Sequence, residues 1–329
     1  MGKVKEFIFL GTGTSGSVPN IHCLVKDPIP TCKVCLSAIT YQQPHLVQDS
    51  ASSIQLPLLH LPHFSKNRRR NTSGVVRFMH SDGRMRNVVI DCGKTFYDSA
   101  LSWFVEYRLR NIDAVILTHG HADAIFGLDE LRQWTIGGED RRLQKIVDIY
   151  LDQETMEVVA RAFPYMVDSA KATGGGDVPS VRFNIIEKNA DGPIPFLIDN
   201  ELTVIPFEVE HGKNGTKPFM SLGFRFENLT YISDANAIPP RAGSIIKGST
   251  HLIIDALNVE PHCSHFGFDQ AIHECILALA KGGKGYFTGL SHSMDYDDLQ
   301  EYIASKQSPK DAGIHIECGF DGQRIPIHD

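Results

Sequence analysis

This sequence has no long hydrophobic run: no apolar stretch approaches the roughly 18 residues that a membrane-spanning helix needs, so no membrane association is expected. The opening residues, MGKVKEFIFLGTG, carry neither the hydrophobic region nor the cleavage pattern of a secretory signal, and export is not expected. An excess of positive charge is also missing. The net charge of −7 argues against a polyanion lying along the general surface, while leaving room for one phosphate at a locally positive site. There is no repeat and no long low-complexity tract. Disulfides are not expected either: seven cysteines, an odd number without an export signal, point to a reducing compartment, where thiols serve as metal ligands, redox groups or core filler. The expected setting is cytoplasmic, with the nucleus also open.

What is present is ample apolar material. With 329 residues, 42% of them hydrophobic, the chain can build one large α/β domain or two small ones. Ten short apolar runs read as buried strands: 6–10, 74–79, 87–91, 114–118, 145–151, 201–209, 219–226, 229–234, 251–257 and 283–290. Helical patterns cover 98–110, 124–134, 152–163 and 268–282. Antiparallel-looking strand groups with interspersed helices suggest a layered α/β (α+β) domain. Residues 27–73 and 168–195, rich in proline or glycine, read as irregular insertions near a site. The run Arg68-Arg69-Arg70 reads as a solvated face and not as a nucleic-acid patch.

Gly11, Gly13 and Gly16 satisfy G-x-G-x-x-G after a strand, but Pro19 and Pro28 follow and no helix can be drawn where a pyrophosphate would need one. A nucleotide site is therefore rejected. The stretch THGHAD (118–123) is more informative. After a strand, alternate residues of extended chain face one way, so His119 and His121 can meet one ion, with Gly120 leaving the way clear. Other strands also deliver a ligand near their last residue: 87–91 ends at Asp91, 201–209 is followed by His211, and 229–234 ends at Asp234. Four such endings point to a site on loops held by a rigid scaffold.

In order, Asp91, His119, His121, Asp123, His211 and Asp234 resemble the pattern of the metallo-β-lactamase superfamily. Within it the chain is most similar to the phosphoribosyl cyclic phosphate phosphodiesterases of bacterial phosphonate breakdown and to their eukaryotic relatives that read H-x-H-A-D-A. Supporting stretches are GTGTSGSVP near the start, RNTSGVV (70–76), SHFGFD (264–269), SHSMD (291–295) and GFDG (319–322). The resemblance implies a single domain over 1–329 with the four-layer αββα sandwich. It implies that His119, His121, His211 and Asp234 surround a first ion and that Asp234 bridges to a second. Two departures thin that second site: Ala124 replaces the final histidine of H-x-H-x-D-H, and Gly289 stands where the last active-site histidine belongs. Asp123 and Asp234 alone suit manganese or magnesium better than zinc. One well-made active-site zinc and a weak or missing second ion are expected, with His265 as a substitute donor.

Cys32-x-x-Cys35 is a metal-type spacing, with Cys23 upstream. By the resemblance these three join His292 in a structural zinc site, although eight residues separate Cys23 from Cys32, more than in the family. A redox pair of thiols, and His292 as a ligand of the active-site ion, stay open. Zinc with an open position lowers the pKa of bound water from roughly 15.7 toward about 7, making hydroxide available for attack. Asp123 either binds metal or orients that water, and Asp91 steers a ligand histidine. His265 donates a proton or binds phosphate, unless it is a plain loop-tip histidine. Ser73 is expected at the substrate. The expected function is a metal-dependent hydrolase of small or cyclic phosphodiesters. A degenerate, non-catalytic metal protein of the same fold, or a hydrolase of carboxylic esters or amides, is the alternative. The partner is thus a small phosphodiester, not nucleic acid, and a homodimer is left open.

Overall fold

The structure, a computed structural model, describes residues 2–25, 32–39, 41–42, 63–138 and 140–327. Much of the insertion expected at 27–73 lies outside the described residues. Fourteen strands form two seven-stranded sheets. The first is built from β1 (Lys3–Gly11), β2 (Ser73–Met79), β3 (Met85–Ile90), β4 (Ala114–Ile116), β5 (Val147–Leu151) and β6 (Val181–Ile185), with β14 (Arg324–Pro326) beside β1. The second runs in chain order through β7 (Phe196–Ile198), β8 (Leu202–Asn214), β9 (Lys217–Phe226), β10 (Leu229–Ile232), β11 (Ser249–Asp255), β12 (Leu279–Thr288) and β13 (His315–Cys318). In each sheet an antiparallel half passes into a parallel half, at β3–β4 and at β10–β11.

The strands read as nearly continuous apolar runs because both faces are buried. Along β1, Phe7 and Phe9 face the second sheet in a core shared with Phe224 and Tyr231, while Ile8 and Leu10 face a core with helix Phe96–Glu106. The Phe7 and Tyr231 rings lie 5.8 Å apart across the sandwich. A third core packs the second sheet against helices Phe268–Ala278 and Tyr296–Ser305. Helix, sheet, sheet, helix is the expected αββα order. The two inner faces hold the sheets rigid, so the loops at the parallel strand ends have fixed stems.

The ten expected strands all form. The helical run 124–134 breaks into Ala122–Ile125, a 3₁₀ turn at Leu128–Leu131 and Arg132–Thr135. Docking on the loop after β3 interrupts it, with Cys92 N–H donating to Ala124 O and Gly127 N–H to Cys92 O, both at 2.7 Å. The helix expected over 268–282 stops at Ala278, because Leu279 already pairs with Ser249 as the start of β12. Segment 168–195 is not wholly irregular: β6 forms the sheet edge, and its half-exposed residues hid it from a search for apolar runs. A five-residue helix, Ile21–Val25, does follow the glycine-rich turn, but it starts five residues beyond Gly16.

The arginine run is a correction. Arg69 and Arg70 are 1% and 2% exposed, not solvated. Arg69 donates to the carbonyls of Ser291 and Met294 and to Asn67 Oδ1. Arg70 pairs with Asp98 at 2.6 Å and with buried Asp321 at 3.4 Å. Asp321 also accepts from the amide and hydroxyl of Thr12 at 2.9 and 2.8 Å, which ties the opening GTGT stretch to the closing GFDG stretch. No described helix is long and apolar enough to cross a membrane.

Candidate metal centres

His119 follows β4 and is 3% exposed. Its tautomer follows from its neighbours. Asp91, just past β3, accepts from the Thr118 amide at 2.8 Å and from the Thr118 hydroxyl at 3.1 and 2.9 Å. With its proton committed to the carboxylate, that hydroxyl accepts from His119 Nδ1, 2.8 Å away. His119 Nε2 is then a bare lone pair, buried and without a hydrogen-bond partner among the described residues. His211 is set the same way: Nδ1 lies 2.8 Å from the Ser264 carbonyl, so it donates and leaves Nε2 unprotonated. A bulge in β8 between Glu210 and Lys213 turns His211 inward. Gly212, inside that bulge at φ +78°, supplies a backbone conformation few other residues adopt.

His211 Nε2 lies 3.2 Å from His121 Nδ1, and the ligand nitrogens of His119, His121 and His211 all lie within 4.8 Å of one another. Two imidazole nitrogens on one tetrahedral zinc are separated by about 3.3 Å, so the His121–His211 pair already stands at a shared-ion distance, with His119 gathered beside it. Burial, reinforced by the adjacent imidazoles, pushes His119 down to about 3 against the pull of Asp234, and burial also lowers His121. Neutral imidazole is the ligating form. Asp234 Oδ2 sits 3.5 Å from His119 Nε2 and 3.7 Å from His211 Nε2. Burial raises its carboxyl, yet His119 and His211 outweigh burial and hold it below its usual value.

One member of a second cluster was not foreseen. Asp255, the last residue of β11, joins Asp234 and His265 with ligand atoms within 4.8 Å of one another. Asp255 Oδ2 faces His265 Nδ1 at 3.0 Å. Burial lifts the Asp255 carboxyl to about 6; burial opposes charge on His265, but Asp255 prevails and lifts it to about 9. A further unforeseen residue is Phe219, whose ring stacks on His121 at 4.9 Å and 15°. Nothing in its strand's pattern distinguishes it from a core phenylalanine.

A third cluster gathers Cys23, Cys32, Cys35 and His292. His292 Nδ1 lies 3.5 Å from Cys23 Sγ and 3.6 Å from Cys32 Sγ. Sulfur and nitrogen on one tetrahedral zinc are about 3.6 Å apart, so Cys23 belongs to the set despite its spacing. His292 sits here and not with the other histidines. Burial raises Cys35 to about 12, whereas Cys35 and Cys23 hydrogen bonds outweigh burial at Cys32 and favour its thiolate.

The remaining expected residues fall as follows. Asp123 lies in the first turn of the short helix Ala122–Ile125; burial and Asp234 raise its carboxyl, and it stands outside both histidine clusters. Ala124 packs in the apolar core. Ser73 is buried and donates to the Asp91 carbonyl at 2.8 Å, so it supports the strand-end loop instead of facing a substrate.

A model of the beta-lactamase superfamily domain matches residues 86–284. The chain belongs to this superfamily. Its fold is also that of several solved structures. One is a diphosphatase from the PhnP family, with TM-score 0.70, 24% identity, and 99% and 98% of the two chains covered. Another is zinc-bound PqqB from Methylobacterium extorquens, with TM-score 0.57, 16% identity and 97% and 99% covered. Human tRNase Z, short form, aligns with TM-score 0.54, 16% identity and 98% and 100% covered. In sequence, 325 residues are 25% identical to an octanoyltransferase of Porphyromonas gingivalis (strain ATCC BAA-308 / W83), matching 98% of this chain. The chain spans 51% of that protein's length.

Proposed function

We propose that the protein is a metal-dependent hydrolase of small phosphodiesters. The observation that carries this reading is the set of three imidazoles, two of them with their lone pairs fixed by a hydrogen bond at the other nitrogen, converging beside Asp234. A purely structural ion needs no such open arrangement, and the thiolate cluster already supplies one. In this reading His119, His121 and His211 would hold a zinc, and Cys23, Cys32, Cys35 and His292 would hold a second, structural one. A bound zinc supplies Lewis acidity and makes a water acidic enough to attack at neutral pH.

The chain's own residues do the rest. Asp91 holds His119 through Thr118. Asp123 accepts the proton of the attacking water as the new P–O bond forms. His265, kept protonated by Asp255, gives its proton to the departing oxygen as the old P–O bond breaks. A metal-free chain would lose the reaction but keep these hydrogen bonds. The proposed substrate is a small or cyclic phosphodiester and the proposed setting is the cytoplasm. Likeness to the PhnP-family diphosphatase supports the phosphoryl electrophile. Likeness to the octanoyltransferase makes a carboxylic ester the second substrate class, since the same site suits either. The test is turnover of bis-p-nitrophenyl phosphate, with p-nitrophenyl octanoate in parallel, under zinc, manganese or magnesium. Phosphodiester turnover lost in His121→Ala supports the reading; none with any of the three metals overturns it.

A further inference from the structure

We infer that Asp234, Asp255 and His265 form a second cation site of their own kind, in which Asp255 replaces the histidine missing at position 289. The superfamily pattern would place a histidine there, and the Asp255 carboxylate occupies the space it would need. Gly289 adopts φ +71°, and a Cβ on it would fall 2.2 Å from Asp255 Oδ1. Side chain at 289 and carboxylate at 255 therefore exclude each other. The missing histidine and the unforeseen aspartate are one substitution seen from two strands, the ends of β11 and β12.

Asp255 is 0% exposed. Its Oδ2 is well used, lying 3.0 Å from His265 Nδ1 and accepting from the amides of Ala235 and Phe266 at 3.2 and 3.3 Å. Its Oδ1 has no hydrogen-bond partner among the described residues. A buried carboxylate oxygen left so costs free energy unless a cation or a proton meets it. The three ligand atoms lie within 4.8 Å of one another, and Asp234 also reaches 3.5 Å from His119 Nε2, so one carboxylate borders both clusters. The donor chemistry differs between them. Three imidazoles favour zinc; two carboxylates with one imidazole favour a harder divalent ion that keeps waters, manganese or magnesium. Such a cation would displace the His265 proton and take over stabilisation of the departing oxygen. The inference deepens the hydrolase reading and rests on it for that catalytic role, but the site itself is tested without turnover.

The full chain, loaded with zinc and dialysed, is titrated with manganese(II) while the free ion is followed by electron paramagnetic resonance. One manganese should bind per chain, and its affinity should fall at least about tenfold in Asp255→Asn and in His265→Gln. Glu301→Gln, on the exposed face of helix Tyr296–Ser305 and outside every cluster, should leave it unchanged. Melting curves with and without manganese show whether each variant is folded, and the manganese-induced rise in Tm should vanish in both cluster variants. No manganese bound by the wild type, or equal affinity in folded Asp255→Asn, would overturn the site and leave His265 as a proton donor only. Phosphodiester turnover with zinc alone would survive that outcome, so the two failures are distinguishable.

Discussion

Thr118→Val removes one hydroxyl from the relay behind His119 while nearly keeping its volume. In the fold that hydroxyl meets both oxygens of Asp91, at 3.1 and 2.9 Å, and His119 Nδ1 at 2.8 Å. The Thr118 amide, 2.8 Å from Asp91 Oδ1, stays in place. Asp91 is buried, and burial holds its carboxyl well above the usual range. Losing one of its two donors leaves this buried carboxyl less well satisfied and should cost about 1–3 kcal/mol of stability, the range for a buried polar group deprived of a partner. The effect on metal is separate. Without the hydroxyl, nothing fixes the His119 ring plane or keeps its proton on Nδ1. Loss of such an outer partner weakens metal binding about 10- to 100-fold, or about 1.4–2.7 kcal/mol. The assay is chelator competition for zinc alongside urea unfolding of the metal-stripped chain, with Thr118→Ser expected to restore both. Unchanged zinc affinity in a destabilised Thr118→Val would refute the relay and leave Thr118 as scaffolding alone.

Cys32→Ser should lower the zinc count by one and depress Tm, with the metal content at the three histidines unchanged by elemental analysis. Arg69→Met leaves the Ser291 and Met294 carbonyls without their donors, which should cost about 1–3 kcal/mol for each and speed zinc loss from the neighbouring His292 site, read by a chromogenic chelator. Phe219→Ala uncovers the face of His121, and zinc should leave the histidine cluster faster in stopped-flow chelation while Tm drops modestly. In the metal-stripped chain, both members of the Asp255–His265 pair have raised values. Asp255 loses its contribution as pH rises toward about 6, and His265 loses its own between its ordinary 6.5 and about 9. Stability should accordingly fall as pH climbs from 6.5 to 9, and His265→Gln should flatten that limb; a limb that rises, or one unaltered in the variant, contradicts the pairing.

Much of this was legible in the chain because burial on both faces writes a strand as an apolar run. That is why β1, β3, β4, β10 and β11 stood out, and why His119 and Asp234 could be placed at strand ends. Edge strands write no such run, so β6 was hidden. Charge misled in the opposite direction: Arg69 and Arg70 looked solvated, yet three of their partners, Ser291, Met294 and Asp321, lie more than two hundred residues away. Ser73 was expected at the substrate, and in the fold its hydroxyl donates to the Asp91 carbonyl, a partner no local pattern names.

The order of residues by itself determined the apolar strand runs, the placing of His119, His121 and Asp234 near strand ends, and the thiolate spacing, because periodicity and ligand type are local properties of a chain. That the strands make a sandwich and that His211 joins the other two histidines came with the resemblance to the metallo-β-lactamase superfamily. Only the tertiary structure decided which nitrogen of each histidine is free, that Cys23 and His292 share one cluster, and that Asp255 fills the space denied to a side chain at 289. Those are distances across strands and loops, set when the two sheets pack, and no local pattern carries them.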